Sequence, residues 1–194
     1  MQQDAVAGQS SAEKRAKIGD WLKDRKLDAA VITALDGVAW LFNIRGSDVS
    51  RTPVTLAFAL IHADGTAQLC IDETKVTAQV RAHLGNAVRI IPRADFSAAL
   101  DGLAGKHVAV DPDHAVAAII ARLEAAGAII ERLRDPTVLP KAVKNPVELA
   151  GIRAAHVRDG AALRRFLYWV RATAPGASAE DPPAAPNLAP TRAP

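Results

Sequence analysis

An α/β fold, a mixed β-sheet flanked by helices, is predicted by two features of the sequence. Helix-period segments alternate with short apolar runs from residue 10 to residue 134. An Asp64-Gly65 turn joins two of those runs as an antiparallel hairpin, so the sheet is not purely parallel.

Taken in order, residues 1–9 are polar and Ala-rich without a period, and read as a flexible lead-in. A first helix is expected from Ser10 or Ser11 to about Lys26, with Ser11 as its cap and Ile18, Trp21, Leu22 and Arg25 at helical spacing. Its charges, Glu13 to Lys17 and Asp20 to Lys26, alternate in sign and read as solvated faces. Ala29 to Thr33 is apolar and partly β-branched, as a buried strand requires. Asp36 is expected to cap a short helix over 37–42; a polar loop, 43–53, leads to a strand at 54–61 and its return at 66–71. The alternation continues with helix 75–84, strand 87–91, helix 95–103, strand 107–110, helix 116–126 and strand 128–131.

From Asp135 the texture changes. Asp-Pro-Thr-Val-Leu-Pro140 reads as a connector unable to sustain a helix. A long amphipathic helix then spans Pro146 to Arg171, with Asn145 as cap, Glu148 at the capping-box position, and a stripe of Leu149, Ile152, His156 or Ala155, Leu163, Phe166 and Leu167. Residues 172–194 hold six of the twelve prolines and one large apolar side chain, Leu188, so a disordered tail is expected.

Composition removes several function classes. The 24 Lys and Arg are interleaved with 21 Asp and Glu, giving a net charge of +3 but no basic stripe for nucleic acid. No window approaches the roughly 18 apolar residues of a membrane span. The start, Met1-Gln-Gln-Asp-Ala-Val, lacks the layout of a secretory signal, and the single Cys70 forms no internal disulfide, so a cytoplasmic location is expected.

The search for chemistry yields no self-contained active site. None of the five histidines stands at the spacing of a zinc helix, and paired cysteines are absent. Asp111-Pro-Asp-His114 lies between a strand and a helix, where Asp caps and Pro turns, and reads as a cap rather than a metal site. Gly102-Leu-Ala-Gly-Lys106 lacks the phosphate-loop spacing, and there is no Gly-x-Ser-x-Gly elbow. No catalytic and no metal-ligating residue is assigned. The most unusual segment, 34–49, sets Asn43, Arg45, Ser47 and Asp48 just after an aromatic-rich helix. Read from the residues alone, it is either a polar edge offered to a ligand or partner domain, or a loop held by an internal ion pair.

Those residues carry a family resemblance. Thr33 to Asp36, Ala39-Trp-Leu-Phe-Asn43 and Arg45-Gly-Ser-Asp-Val49 resemble the middle-domain signature of the long, three-domain aminopeptidases P (Xaa-Pro aminopeptidases). Lys141 to Asn145, with Glu148, Gly151, Arg153, Ala155-His156 and Asp159, resembles the junction at which that family's catalytic domain begins. Ala7 to Lys14 is similar to the segment between its first and middle domains. The chain departs from the family at Thr52-Pro-Val-Thr55 and Ala57-Phe-Ala59, and after Trp169, where low complexity replaces the helix, as a frameshift or early stop in a longer gene would produce.

The resemblance implies a creatinase/prolidase N-terminal-like domain at 10–134, then, at 135–171, a connector and the first helix of a pita-bread catalytic domain. It implies a parent that removes the residue preceding proline, using two metal ions, commonly manganese, whose ligands lie in the catalytic domain. The chain is then expected to be a non-catalytic fragment whose partner is that domain. Arg45, Ser47, Asp48 and Asn43 are its candidate substrate or interface residues. The alternative is a stand-alone module associating with a separate catalytic subunit. The uncovered stripe of helix 146–171 makes self-association an expectation as well.

Overall fold

The computed structural model describes residues 1–173. The tail expected from residue 172 lies, from 174 onward, outside the described residues. Two compact units divide the chain, Met1–Asn145 and a second beginning at Pro146.

The first unit runs α1 (Asp4–Ala7), α2 (Ser11–Asp24), β1 (Ala29–Ile32), α3 (Leu35–Phe42), β2 (Phe58–His62), β3 (Ala67–Ile71), α4 (Ala78–Leu84), β4 (Val88–Pro92), α5 (Phe96–Asp101), β5 (His107–Val110), α6 (Ala117–Ala125), β6 (Ile129–Arg132) and α7 (Val138–Ala142). Six strands form one sheet in the order β4-β3-β2-β1-β5-β6. β2 is antiparallel to both β1 and β3, whereas β3/β4, β1/β5 and β5/β6 are parallel, so the predicted mixed sheet is present.

Strand alternation sorts the core into two layers. Ala30, Ile32, Ala59, Ile61, Leu69 and Ala109 face Ile18 and Leu22 of α2, Val38, Leu41 and Phe42 of α3, and Leu84 of α4. Ala29, Val31, Leu60, Cys70, Val108 and Val110 face Phe96 and Leu100 of α5 and Ile119 and Leu123 of α6. With both faces covered, β1 is buried at every position, as a continuous apolar run requires. Cys70 is a core thiol that burial pushes up to about 12, far from the thiolate range. Helix α2 crosses close to the hairpin, because a Cβ on Gly19 would stand 2.8 Å from the Ala63 carbonyl oxygen.

Several local expectations are corrected. The cap of α2 is Ser10, not Ser11: its hydroxyl accepts from Glu13 N while the Glu13 carboxylate accepts from Ser10 N, a full capping box. The lead-in is ordered, with α1 closed at Gly8 and Ala7 in the interior. Asp36 sits inside the first turn of α3 and ion-pairs with Lys141 of α7 instead of capping. The segment 54–57 is loop, and the predicted helix from 75 begins only at Ala78, capped by Thr77, after a 3-10 turn over Glu73–Lys75. The connector does hold a helix, because Pro140 is the third residue of α7, where its missing N–H would have had no intrahelical partner.

Asp111 does not cap α6 either. Its Oδ1 accepts from Asp113 N and its Oδ2 from Asp135 N, tying the connector to the end of β5, with His114 Nδ1 at 3.1 Å. Burial works to raise its carboxyl, but those backbone and His114 bonds outweigh it and leave the pKa lowered. Asp135, 4% exposed, accepts from Thr137 N and Oγ1 through Oδ1, and burial pushes its carboxyl up.

The second unit is described by α8 (Pro146–Thr173), two residues longer than predicted at its C-terminal end. No helix among the described residues is long and apolar enough to cross a membrane.

Candidate functional site

The loop after α3 is set by Asn43. Its backbone is left-handed, at φ 52°, which Asn tolerates better than most residues. The side chain is fully buried and used inside the fold: Oδ1 accepts from Lys14 Nζ at 2.6 Å, and Nδ2 donates to the Gln9 carbonyl oxygen at 2.8 Å. Its carbonyl accepts from Gln2 N at 2.7 Å, which explains why the lead-in is ordered. Asn43 is therefore not on the polar edge with the other three candidates.

Lys14 is the cation that the charge pattern misassigned. It is 2% exposed, donates also to the Trp40 carbonyl at 3.0 Å, and lies 4.5 Å above the centre of the Trp40 ring. Arg15 is buried as well, with Nη1 donating to the Gly65 carbonyl at 2.6 Å. Alternating charge at the start of α2 resembles a solvated face, but long aliphatic stems let both heads reach acceptors across the packed layer.

Arg45, Ser47 and Asp48 come together on one cleft of about 400 Å³. Ile44, Leu69, Ile71, Val76 and Val80 make it apolar, while Arg45, Ser47, Asp48, Thr55 and Lys75 supply the polar lining. Arg45 Nη1 donates to the carbonyls of Ala39 and Ile44, and Nη2 to Gln2 Oε1, so its guanidinium closes the end of α3. Asp48 Oδ2 accepts from Lys75 Nζ at 2.8 Å, Leu56 N at 2.8 Å and Thr55 Oγ1 at 3.0 Å. The ion pair expected within the loop thus runs from Asp48 to Lys75, beyond the hairpin. Spacing gave no signal of this, since 27 residues separate the two.

The Lys75 ammonium, then the Leu56 N–H and Thr55 hydroxyl, hold the Asp48 carboxyl at about 2. Because the folded value lies below the ordinary carboxylate value of about 3.9, the stabilisation is full above that value and is lost as pH falls through about 2. Urea midpoints of wild type and Asp48→Asn should therefore differ at pH ~6, with the variant less stable, and converge toward pH ~2. Midpoints separated equally at every pH would contradict the assignment.

Among the described residues, no three His, Cys, Asp or Glu side chains gather as a metal-binding set. The cleft has one carboxylate, already occupied by three donors, and does not fit a dinuclear metal centre.

A two-faced mixed sheet with a signature loop over one end defines a class, that of the amino-terminal domains of creatinase-like and prolidase-like proteins. The chain belongs to the creatinase/prolidase N-terminal domain family, which matches residues 1–148. It is 40% identical over 176 residues to the probable Xaa-Pro aminopeptidase P of Aspergillus clavatus, covering 86% of this chain and 26% of that protein. The X-prolyl aminopeptidase of Caenorhabditis elegans, described as a cytosolic enzyme with a di-nuclear active site, superposes with a TM-score of 0.80 at 28% identity, over 88% of this chain and 29% of that one. The prolidase of Pyrococcus horikoshii, at 17% identity and a TM-score of 0.59, shares the fold over 80% of this chain and 42% of that one. The chain thus spans little more than a quarter of the length of the first two relatives.

Proposed function

We propose that this chain is the non-catalytic middle domain of an Xaa-Pro aminopeptidase, with the first helix of the catalytic domain attached, and that the cleft around Arg45, Ser47 and Asp48 docks the catalytic part. The observation that supports this reading is the coverage: similarity to Xaa-Pro aminopeptidase P extends over 86% of this chain but 26% of the relative. On this reading the metal ions of the intact enzyme, manganese among them, are held by residues outside 1–173, and removal of the residue before proline takes place there. Cytoplasmic location accords with the relative described as cytosolic.

In the cleft, Lys75, the Leu56 N–H and the Thr55 hydroxyl preorganise the loop through Asp48, and the apolar lining supplies area that an incoming side chain can cover. The same surface serves whether the catalytic part follows on one chain or comes on another. The test is binding of this chain to the remainder of the Aspergillus clavatus protein, produced separately. Arg45→Ala should weaken the complex by about 10-fold or more, as loss of a central arginine does. Equal binding by wild type and variant, or no binding by either, would remove the docking role.

A further inference from the structure

We propose that the connector after β6 carries a proton-operated latch: Asp135 holds residues 135–142 against the sheet domain while its side chain is a neutral carboxylic acid, and releases them when it gives up its proton. This inference stands apart from the docking role of the cleft.

Two carboxyls with opposite surroundings build the latch. Asp111, at the end of β5, is met by Asp113 N at 2.9 Å on Oδ1, and by Asp135 N at 2.8 Å and His114 Nδ1 at 3.1 Å on Oδ2. Asp135 is satisfied on one side only. Its Oδ1 accepts from Thr137 N at 2.7 Å and Thr137 Oγ1 at 2.6 Å, at the start of α7, while its Oδ2 is buried with no hydrogen-bond partner among the described residues. The first turn of α3 closes over the pair, because a Cβ on Gly37 would stand 3.4 Å from that Oδ2 and 2.7 Å from Thr137 Oγ1. The atoms that enclose the oxygen belong to this chain, so its lack of a partner does not come from an uncovered surface.

Ionised, Asp135 would carry an unpaired buried charge beside the Asp111 carboxylate. The neutral acid costs far less, since both Thr137 bonds go to its carbonyl oxygen and the proton sits on Oδ2. Burial first, with Asp111 adding to it, raises the Asp135 carboxyl against the pull of the Thr137 bonds. The other charges around this corner are His114, bonded to Asp111, and Asp36 of α3, paired with Lys141 of α7; Arg134 is exposed.

Opening costs little. Helix α7 has no buried residue, and Leu139 on it points to solvent. Leu133 N stays bonded to the Val110 carbonyl and Asn145 Nδ2 to the Ala7 carbonyl, so the released segment is a loop anchored at both ends and the sheet remains folded.

Hydrogen exchange and a carboxyl titration of the 194-residue chain, both read by NMR, test this. Above pH ~4, the protection factors of the Thr137, Val138 and Lys141 N–H groups should fall about 10-fold per pH unit until Asp135 ionises in the closed form, and then level off. They should stay below those of β1 at every pH. In Asp135→Asn, which keeps an acceptor for Thr137 and has no proton to lose, they should not change with pH. The Asp135 carboxyl itself should titrate above the ordinary value of about 3.9.

An Asp135 carboxyl that titrates at or below that value overturns the proposal, and this reading holds even if the variant does not fold. Protection that is level with pH in the wild type, or that falls equally in wild type and Asp135→Asn, would also overturn it, the latter by assigning the change to His114 or Asp111. So would exchange in α7 no faster than in β1, since the segment would then open only with the whole domain.

Discussion

Asn43→Ala is expected to lower the stability of the sheet domain by about 3–5 kcal/mol, a large share of the roughly 5–15 kcal/mol that holds an ordinary domain folded. Three losses add. Alanine at a left-handed position costs about 1 kcal/mol. The hydrogen bond from Lys14 Nζ, made to a buried ammonium, contributes about 1.5–3 kcal/mol, and that to the Gln9 carbonyl about 1 kcal/mol. Asn43→Gly separates them, since glycine accepts the backbone angle and removes only the side-chain bonds, so it should be milder by about 1 kcal/mol. Urea unfolding of the three proteins reads this directly. Equal losses for both variants would assign the effect to the side chain alone, and a loss below about 1 kcal/mol for Asn43→Ala would contradict the account of Asn43 as the hub.

Much of the sheet was legible because its signals are local. The β1 run from Ala29 to Ile32, the Asp64-Gly65 hairpin and the stop at Gly127 depend on residues adjacent in sequence, and each element lies within a few residues of its expected place. The errors share a physical cause. Lys14 and Arg15 sit in a sequence whose charge alternation favours a solvated face, and only the packing of α2 against Trp40 and the hairpin reveals their acceptors. Ser10 and Ser11 are adjacent candidate caps, and only Ser10 has a Glu three residues on to complete the box.

The candidate site was legible in composition more than in construction. Of the four candidates in the segment Asn43 to Asp48, three line one cleft. The fourth, Asn43, lies inside the fold at the left-handed end of α3, where its side chain meets Lys14 Nζ and the Gln9 carbonyl, partners 29 and 34 residues away in sequence. Lys75, which fixes Asp48, lies 27 residues further on, in the turn after β3, a separation that no helical or strand period spans.

On the proposed reading this chain carries no peptidase chemistry of its own, and complete absence of turnover is the largest effect expected. The most direct measurement is hydrolysis of an Xaa-Pro peptide by the purified chain with manganese added, beside the full-length Caenorhabditis elegans enzyme as positive control. The chain should release nothing above the buffer blank under conditions where the control turns over at about 1 per second or faster. Metal-dependent release of the residue before proline, proportional to chain concentration and abolished by a chelator, would contradict the account.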